Sequence, residues 1–329
     1  MIEIAILGLG EIGTSLGLAL KYQKKDLKRV GFDTHQYAQD NALKTDAVDQ
    51  TGRGVVDAVK NADIICLALP ADQLEPTLKL IGHEMKKDAA VLDFSPIKVA
   101  ADRLAQQYLK QPSHFLGVYP ALKTEYLQEV SREYHTAHED LFKGGSLLIA
   151  PTEKTDPSVV KLAADLGSLA GAYSLFIDPF ELDGLLAGVH NLPWLLSSAL
   201  MNALLAQPSW VEARKAGTKE FAYQTGLMTE ERTRQEFASV MGENREGTLR
   251  MLNEFIFSLK EYRDAIQNRD IAALESLYEK SDKGREIWLR EYAENVWRKE
   301  KEEKSERTSM SDQLGQMFLG GLMRKKKDA

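Results

Sequence analysis

A glycine-rich loop directly after the first apolar run constrains this fold more than any other feature. The run Ile2–Leu7 ends on GLGEIG, which places glycines at positions 8, 10 and 13, and a helical pattern follows over 12–22. The glycine pattern alone recurs by chance, but a strand before it and a helix after it are the context of a dinucleotide-binding turn. Gly8 permits the tight turn, Gly10 lets a pyrophosphate approach the backbone, and Gly13 allows the helix to pack against the strand. The alternative is an ordinary βα turn that contains three glycines.

The first turn of that helix and the end of the next apolar run predict NAD as the cofactor. Backbone N–H groups at Glu11 and Ile12, together with the positive end of the helix dipole, would face the phosphates. Asp33 ends the run VGFD about 20 residues further on. Its carboxylate would accept hydrogen bonds from the ribose 2′- and 3′-hydroxyls and would repel a 2′-phosphate, which favours NAD over NADP.

Length, charge and cysteine content bound the class of protein. The 329 residues correspond to two domains at about 100–200 residues each. A formal charge of −7 and a pI near 5.6 argue against a nucleic-acid partner. The single cysteine, Cys66, lies in the apolar run DIICLALP, which excludes a disulfide framework and a CxxC metal site. A reducing, cytoplasmic setting is therefore expected.

The pattern of elements changes once along the chain. Short β-branched runs alternate with helical patterns up to Asp178, which predicts an α/β fold with a doubly wound parallel sheet. Beyond it the chain reads as helices, and from 299 the composition becomes charge-rich with few aromatic residues, which predicts a disordered tail. The predicted domains are a Rossmann-type NAD-binding domain over 1–178, an all-helical substrate and dimerisation domain over 179–298, and the tail over 299–329. The predicted strands are 2–7, 30–33, 63–69, 90–94, 115–119, 146–150 and 173–177; the main predicted helices are 71–81, 99–108, 157–170, 229–262 and 271–298.

One long uncharged segment requires an explanation. Residues 184–211 carry no Asp, Glu, Lys or Arg, and this length exceeds the ~20 residues that span a bilayer. Because the segment contains His190, Asn191 and Pro193, we expect no membrane span, and a buried helix or helix pair instead. A segment too apolar for water and too polar for lipid predicts a homodimer interface.

Six segments, in order, resemble those of the prephenate/arogenate dehydrogenase family over about residues 2–290. They are the glycine loop, DIICLALP, DFSPIK, FLGVYP, LFKGGSLLIAP and DGLLAGVHNLPWLLSSAL. The resemblance implies an N-terminal NAD(P)-binding domain, a helical domain through which two chains dimerise, and an active site between them. It also implies that Leu69 and Pro70 border the nicotinamide half of the cofactor.

Four polar positions depart from the family's pattern. The Gly-x-His-Pro motif reads Gly117–Pro120, with Tyr119 in place of histidine. The Gly-Ser-Val-Lys turn reads SPIK, with proline at the serine position and Ser95 adjacent. The Ser-His-Leu-Pro-His helix reads HNLPW, in which Asn191 replaces a second histidine, and the Arg-bearing segment matches only GTKEFAY, with Lys219 as its sole cation. The resemblance implies these four residues, Tyr119, Ser95, Asn191 and Lys219, as the candidate catalytic set.

The change at Tyr119 bears on the chemistry that the resemblance implies. In the family a hydride passes from a cyclohexadienyl alcohol to the cofactor, the histidine accepts the hydroxyl hydrogen bond, and carbon dioxide is lost, in tyrosine biosynthesis. A tyrosine of pKa about 10 stays protonated at neutral pH, whereas a general base contributes about 10²–10⁴ in rate. Tyr119 would act as a base only beside a cation, for which Lys98 and Lys123 are the nearest candidates. The alternative is a packed aromatic side chain at the end of a strand.

Two classes of function stay open from the sequence. The first is an NAD-dependent oxidoreductase of this type, acting on a small molecule. The second is a protein of the same fold that binds the dinucleotide as a structural or sensing ligand and has lost catalysis. Convergence of the four candidates would favour chemistry, whereas a Tyr119 that points into the core would favour binding alone. For His190 a satisfied core histidine is the alternative to catalysis; for His135 and His138 we expect a solvated loop, and no metal.

Overall fold

The computed structural model describes residues 1–23, 25–129, 133–228 and 233–294. Its eight strands form one sheet in the order β3-β2-β1-β4-β5-β6-β7-β8, which begins with the strand order of a Rossmann sheet. Neighbouring strands are parallel except β6 and β7, which are antiparallel. The strands are β1 Ile2–Leu7, β2 Leu27–Phe32, β3 Gln50–Thr51, β4 Ile64–Leu67, β5 Ala90–Asp93, β6 Phe115–Pro120, β7 Ser146–Ala150 and β8 Tyr173–Phe176.

Helices connect the strands and then continue alone after β8. Those of the sheet region are α1 Glu11–Ala19, α2 Gln36–Lys44, α3 Val55–Val59, α4 Ala71–Ile81, α5 Lys98–Tyr108 and α6 Pro157–Leu169. Those after it are α7 Pro179–Leu186, α8 Leu192–Leu205, α9 Trp210–Ala213, α10 Lys219–Thr225, α11 Arg234–Glu243, α12 Arg245–Asn268 and α13 Ile271–Glu294. A π-helical turn, Ala187–Asn191, joins α7 to α8.

The predicted fold class is confirmed as a mostly parallel, doubly wound sheet followed by helices. The predicted strands at 2–7 and 146–150 and the helix at 71–81 have the observed bounds. These elements are recognisable because strands covered on both faces read as continuous apolar runs, and an amphipathic helix repeats with a period of 3.6 residues. The two-residue strand β3 was not predicted, since two residues carry no periodicity.

The continuous helical pattern predicted over 229–262 is wrong in one respect. Helix α11 ends at Glu243 and α12 begins at Arg245. The residue between them, Asn244, is buried, and its amide donates a 2.7 Å hydrogen bond to the carbonyl of Asp183. This contact with α7 accompanies the break. Residues 229–232 and the predicted tail, 299–329, lie outside the described residues.

The chain forms two compact units, Met1–Ser258 and Leu259–Ala329. The first contains the whole sheet, helices α1 to α11 and the first part of α12. The described part of the second consists of the remainder of α12 and of α13. The predicted boundary at Asp178 marks the end of the sheet within the first unit, and a division into sheet and helical domains there stays a prediction. In the described ranges, no helix combines the length and apolarity that a membrane crossing needs.

Candidate functional site

The glycine loop lies against the end of β4, where the strand order reverses. Gly8 has φ +90°, and a Cβ at this position would lie 2.2 Å from the carbonyl oxygen of Ala68 and 3.3 Å from Cδ2 of Leu69. A Cβ at Gly13 would lie 1.9 Å from the carbonyl oxygen of Gly8. Both positions therefore require glycine, as predicted. Ligands of open α/β sheets bind in the crevice at this switch point, and Pro70 follows directly as the N-cap of α4.

The start of α1 supplies backbone donors to the same crevice. The first bond of the helical ladder runs from the N–H of Thr14 to the carbonyl of Gly10 at 3.0 Å. The N–H groups of Glu11, Ile12 and Gly13 therefore precede the ladder, as in every α-helix. Gly10 occupies the N-cap and has no side chain with which to cap them. This arrangement suits a pyrophosphate, whose negative charge also complements the helix dipole.

Asp33 holds the glycine loop in addition to following β2. Its Oδ2 accepts a 2.8 Å hydrogen bond from the N–H of Leu9, and its Oδ1 accepts one of the same length from the N–H of His35. The side chain is 15% exposed. A carboxylate can accept about four hydrogen bonds, so acceptor sites remain for the predicted ribose contact. The sequence pattern did not anticipate the bond to Leu9.

A buried polar cluster occupies the end of β5. Ser95 donates to Asp93 Oδ2 at 2.8 Å, and the Lys98 ammonium donates to Asp93 Oδ2 at 3.0 Å and to its backbone carbonyl at 2.8 Å. All three residues are buried. Burial lowers the pKa of Lys98, and its ion pair with Asp93 opposes that shift. The predicted candidate Ser95 is therefore tied to an ion pair that sequence reasoning had missed.

The two cations considered as activators of Tyr119 are both engaged by carboxylates. Lys98 pairs with Asp93. Lys123 pairs with Asp140 at 2.6 Å and with Glu125, and these contacts raise its pKa. Each positive charge is thereby largely compensated, which argues against either lysine as an activator of Tyr119. Lys98 has a packing role instead, because a Cβ at Gly117 would lie 2.8 Å from its Cδ.

The surroundings of Tyr119 share features with both alternatives set out above, a packed aromatic side chain and a catalytic group. It is half-buried and packs against the apolar cluster of Ala150, Leu182 and Leu186. Its ring also stands edge-on to the imidazole of His190, with centroids 6.5 Å apart at an interplanar angle of 82°. The side chain is therefore neither enclosed in the core nor separate from the other polar candidates.

His190 and Asn191 lie on the π-helical turn between α7 and α8. Pro193, in the first turn of α8, lacks the N–H that a regular helical ladder needs and would clash with the preceding turn. Oδ1 of Asn191 lies 3.0 Å from Nδ1 of His190, and Nδ2 of Asn191 donates to Oγ1 of Thr248 on α12 at 3.0 Å. All three polar residues are buried. Sequence reasoning missed Thr248, because no local signal links it to a residue 57 positions away.

The candidate residues come together only in part. Tyr119 and Asn191 both contact His190, and Ser95 belongs to the neighbouring cluster at the end of β5. Lys219 is exposed at the start of α10 and forms no hydrogen bond or ion pair with another described residue. The described residues also contain no group of three or more His, Cys, Asp and Glu that could hold a metal ion. In the polar stretch considered above, His138 stacks on Tyr126 with centroids 4.0 Å apart.

The fold and this crevice define a dinucleotide-binding protein of the Rossmann type with a helical C-terminal region. Residues 16–175 match the family model described as "Prephenate dehydrogenase, nucleotide-binding domain". The chain is 25% identical over 292 residues to the cyclohexadienyl dehydrogenase of Zymomonas mobilis, covering 86% of this chain and 94% of that protein. These comparisons support the prephenate dehydrogenase family for this chain.

Solved structures share the fold. A prephenate dehydrogenase from Aquifex aeolicus, in complex with hydroxyphenyl propionate and NAD+, superposes with a TM-score of 0.73 at 21% identity, covering 87% of this chain and 98% of that one. The arogenate dehydrogenase of Synechocystis gives a TM-score of 0.65 at 22% identity, and the match covers 87% of this chain and 100% of that one. Both are similar to this chain in architecture.

Proposed function

We propose that this protein is an NAD-dependent dehydrogenase that oxidises a cyclohexadienyl alcohol of the prephenate or arogenate type, with loss of carbon dioxide. The observation that carries the proposal is the contact between the glycine loop and the end of β4, because it forms a dinucleotide crevice at the switch point of the sheet. The names of the related proteins support the substrate class. The product would be an aromatic compound on the route to tyrosine.

The residues of the crevice fit NAD. Gly8 and Gly13 keep the backbone clear of side chains, α1 directs its first N–H groups outward, and Asp33 provides a carboxylate at the end of β2. Leu69 and Pro70 would border the nicotinamide, because they follow the strand that lies beside β1. Bound NAD would supply the hydride acceptor. The protein's part is to orient the alcohol, exclude water and hold the hydroxyl proton.

The four candidate polar residues would contact the substrate at the other end of this crevice. Ser95 follows β5, and Tyr119 is the penultimate residue of the neighbouring parallel strand β6, so both residues lie at the same edge of the sheet. Asn191 approaches from the helical region through His190. Lys219 would pair with a substrate carboxylate only as a point charge, since an ammonium lacks the bidentate geometry of arginine.

We further propose that the protein acts as a homodimer in the cytoplasm. Helix α8 is mostly apolar and contains no charged residue, yet only Trp194 and Ser197 among its residues are buried. Helices that are apolar all round are normally covered. Leu185, on the preceding helix α7, and Leu205, the last residue of α8, are 51% and 53% exposed. A second copy of the chain would cover this face, and the single buried cysteine is compatible with a reducing compartment.

The proposed activity is tested by following NADH formation when purified protein is mixed with NAD and prephenate, and separately with arogenate. We expect turnover with at least one of them, accompanied by the aromatic product. Binding of NAD without turnover of either compound would instead favour the dinucleotide-binding protein that has lost catalysis. Failure to bind NAD would contradict both functions.

A further inference from the structure

We propose that His190 is the residue that accepts the proton of the substrate hydroxyl, and that Asn191 and Thr248 hold its imidazole in the tautomer this requires. The inference rests on the proposed function, because it assigns a role in that reaction. It transfers the acceptor role from Tyr119, at the end of β6, to the π-helical turn that faces it.

The orientation of the Asn191 amide is what links Thr248 to the tautomer of the His190 imidazole. Because Nδ2 of Asn191 donates to Oγ1 of Thr248, the amide oxygen faces Nδ1 of His190 at 3.0 Å. In this orientation of the amide its oxygen can only accept, so we assign the proton of the neutral imidazole to Nδ1. Nε2 then has the unshared electron pair, as a proton acceptor needs. The three residues therefore form a chain in which Thr248 orients the amide and the amide orients the imidazole.

The local structure supports a specialised role for this turn. π-Helical turns are rare and occur often at functional sites. Here the turn presents two consecutive polar side chains, His190 and Asn191, within the uncharged segment 184–211. Trp194 packs edge-on against the imidazole, with centroids 6.2 Å apart, and Tyr119 does so at 6.5 Å. The rings of Tyr119 and Trp194 thus pack edge-on around the imidazole of His190, which is 7% exposed.

The proton balance of the reaction suits a neutral imidazole held in this way. The O–H bond of the substrate alcohol breaks and its proton moves to Nε2 of His190. The hydride leaves the carbon that bears this oxygen for the nicotinamide, and a C=O bond forms. When the bond to the carboxylate carbon then breaks, its electron pair moves through the ring to that oxygen and carbon dioxide leaves. The imidazolium returns its proton to the oxygen, so the residue ends the cycle neutral and no further co-reactant is needed.

The first test replaces the imidazole by a side chain of similar size. We expect His190→Gln to lower kcat by about 10²–10⁴, the range typical of a lost general base, with the Kd for NAD within about twofold of wild type. The matched control is His83→Gln, an exposed histidine that follows α4, with kcat unchanged.

The second test measures the tautomer directly and does not depend on turnover. Imidazole ¹⁵N NMR of the wild-type protein should show His190 protonated at Nδ1. In Thr248→Val the amide loses its orienting acceptor, so we expect a mixture of tautomers and a lower kcat with KM little changed. Asn191→Asp keeps an acceptor facing Nδ1 and should restore the single tautomer, whereas Asn191→Leu should not.

The outcomes separate this inference from the proposed function. Turnover by the wild type that survives His190→Gln would overturn the role of His190 and leave the activity in place. A wild-type His190 protonated at Nε2 would overturn the orienting role of Asn191 and Thr248. A wild type that binds NAD but turns over neither prephenate nor arogenate would contradict the proposed function, and the acceptor role with it. If His190→Gln does not fold, Thr248→Val with unchanged kcat and unchanged tautomer would contradict the inference.

Discussion

Asp183 on α7 accepts a 2.7 Å hydrogen bond from the backbone N–H of Lys98, the first residue of α5. Its second oxygen accepts from the N–H of Val99 at 3.0 Å. A carboxylate from the helical region thus satisfies two of the backbone donors that a helix N-terminus leaves unpaired, and its charge complements the helix dipole. The helices after β8 are thereby bound to the edge of the sheet at which the candidate site lies.

We predict that Asp183→Asn destabilises the protein by about 1–2 kcal/mol, because the amide has only one oxygen for two backbone donors. The control is Asp178→Asn, the exposed N-cap of α7, where asparagine caps about as well as aspartate. The free energy of unfolding is to be measured by urea denaturation for both variants. A similar loss in both would contradict the prediction.

The difference in free energy of unfolding between wild type and Asp183→Asn should also depend on pH. Burial raises the pKa of Asp183 above its ordinary value of 3.8. A carboxyl whose folded pKa is raised contributes stability below the unfolded pKa and loses it as the pH rises through the folded pKa. The destabilisation by Asp183→Asn should therefore be largest at acid pH and smaller at neutral pH. A difference in free energy of unfolding that becomes larger as the pH rises would contradict this prediction.

We predict that Gly8→Ala abolishes detectable NAD binding. The backbone at Gly8 has φ +90°, and the new Cβ would lie 2.2 Å from the carbonyl oxygen of Ala68. The loop must therefore move away from β4, which opens the crevice. Gly54→Ala is the matched control, because a Cβ there meets nothing within 4 Å. Isothermal calorimetry with NAD measures the effect, and binding by Gly8→Ala at wild-type affinity would contradict it.

Asp33 should have two roles. Its negative charge should favour NAD over NADP, and its carboxylate oxygens should hold the glycine loop by hydrogen bonds. We expect wild-type protein to bind NAD more tightly, and Asp33→Asn to narrow the preference by about tenfold or more, which corresponds to ~1.4 kcal/mol. Asparagine retains an acceptor for the N–H of Leu9, so the fold should be kept, whereas Asp33→Ala should also lower the melting temperature. Titration with both dinucleotides tests this; an unchanged preference in Asp33→Asn would count against the assignment.

The proposed dimer should depend on the apolar face around α8. Leu205→Glu places a charge on a side chain that is 53% exposed in the single chain, and we expect it to shift the protein towards monomer. Leu43→Glu, at a comparably exposed position on α2, should leave the dimer intact. Light scattering at micromolar concentration measures both variants, and a monomeric wild type would exclude the proposed interface.

Local patterns in the sequence were enough to predict the sheet, most of its strands and the glycine loop. These features depend on local patterns. A buried strand such as β4 is apolar throughout, and glycine is needed at position 8 because the backbone there turns tightly beside another chain segment. The helix α4 was predicted with its exact bounds for the same reason, because one apolar face repeats along it.

Which polar groups meet depends on how the helices pack against the sheet. The ion pair of Lys98 with Asp93, the cap that Asp183 provides to α5, and the bond from Asn191 to Thr248 join residues whose partners no local pattern specifies. Such bonds form only when helices dock on the sheet and leave polar groups in places that water cannot reach, where each must find a partner. The same docking sets the imidazole of His190 against Tyr119, so the chemistry of the candidate site is a property of the packed fold.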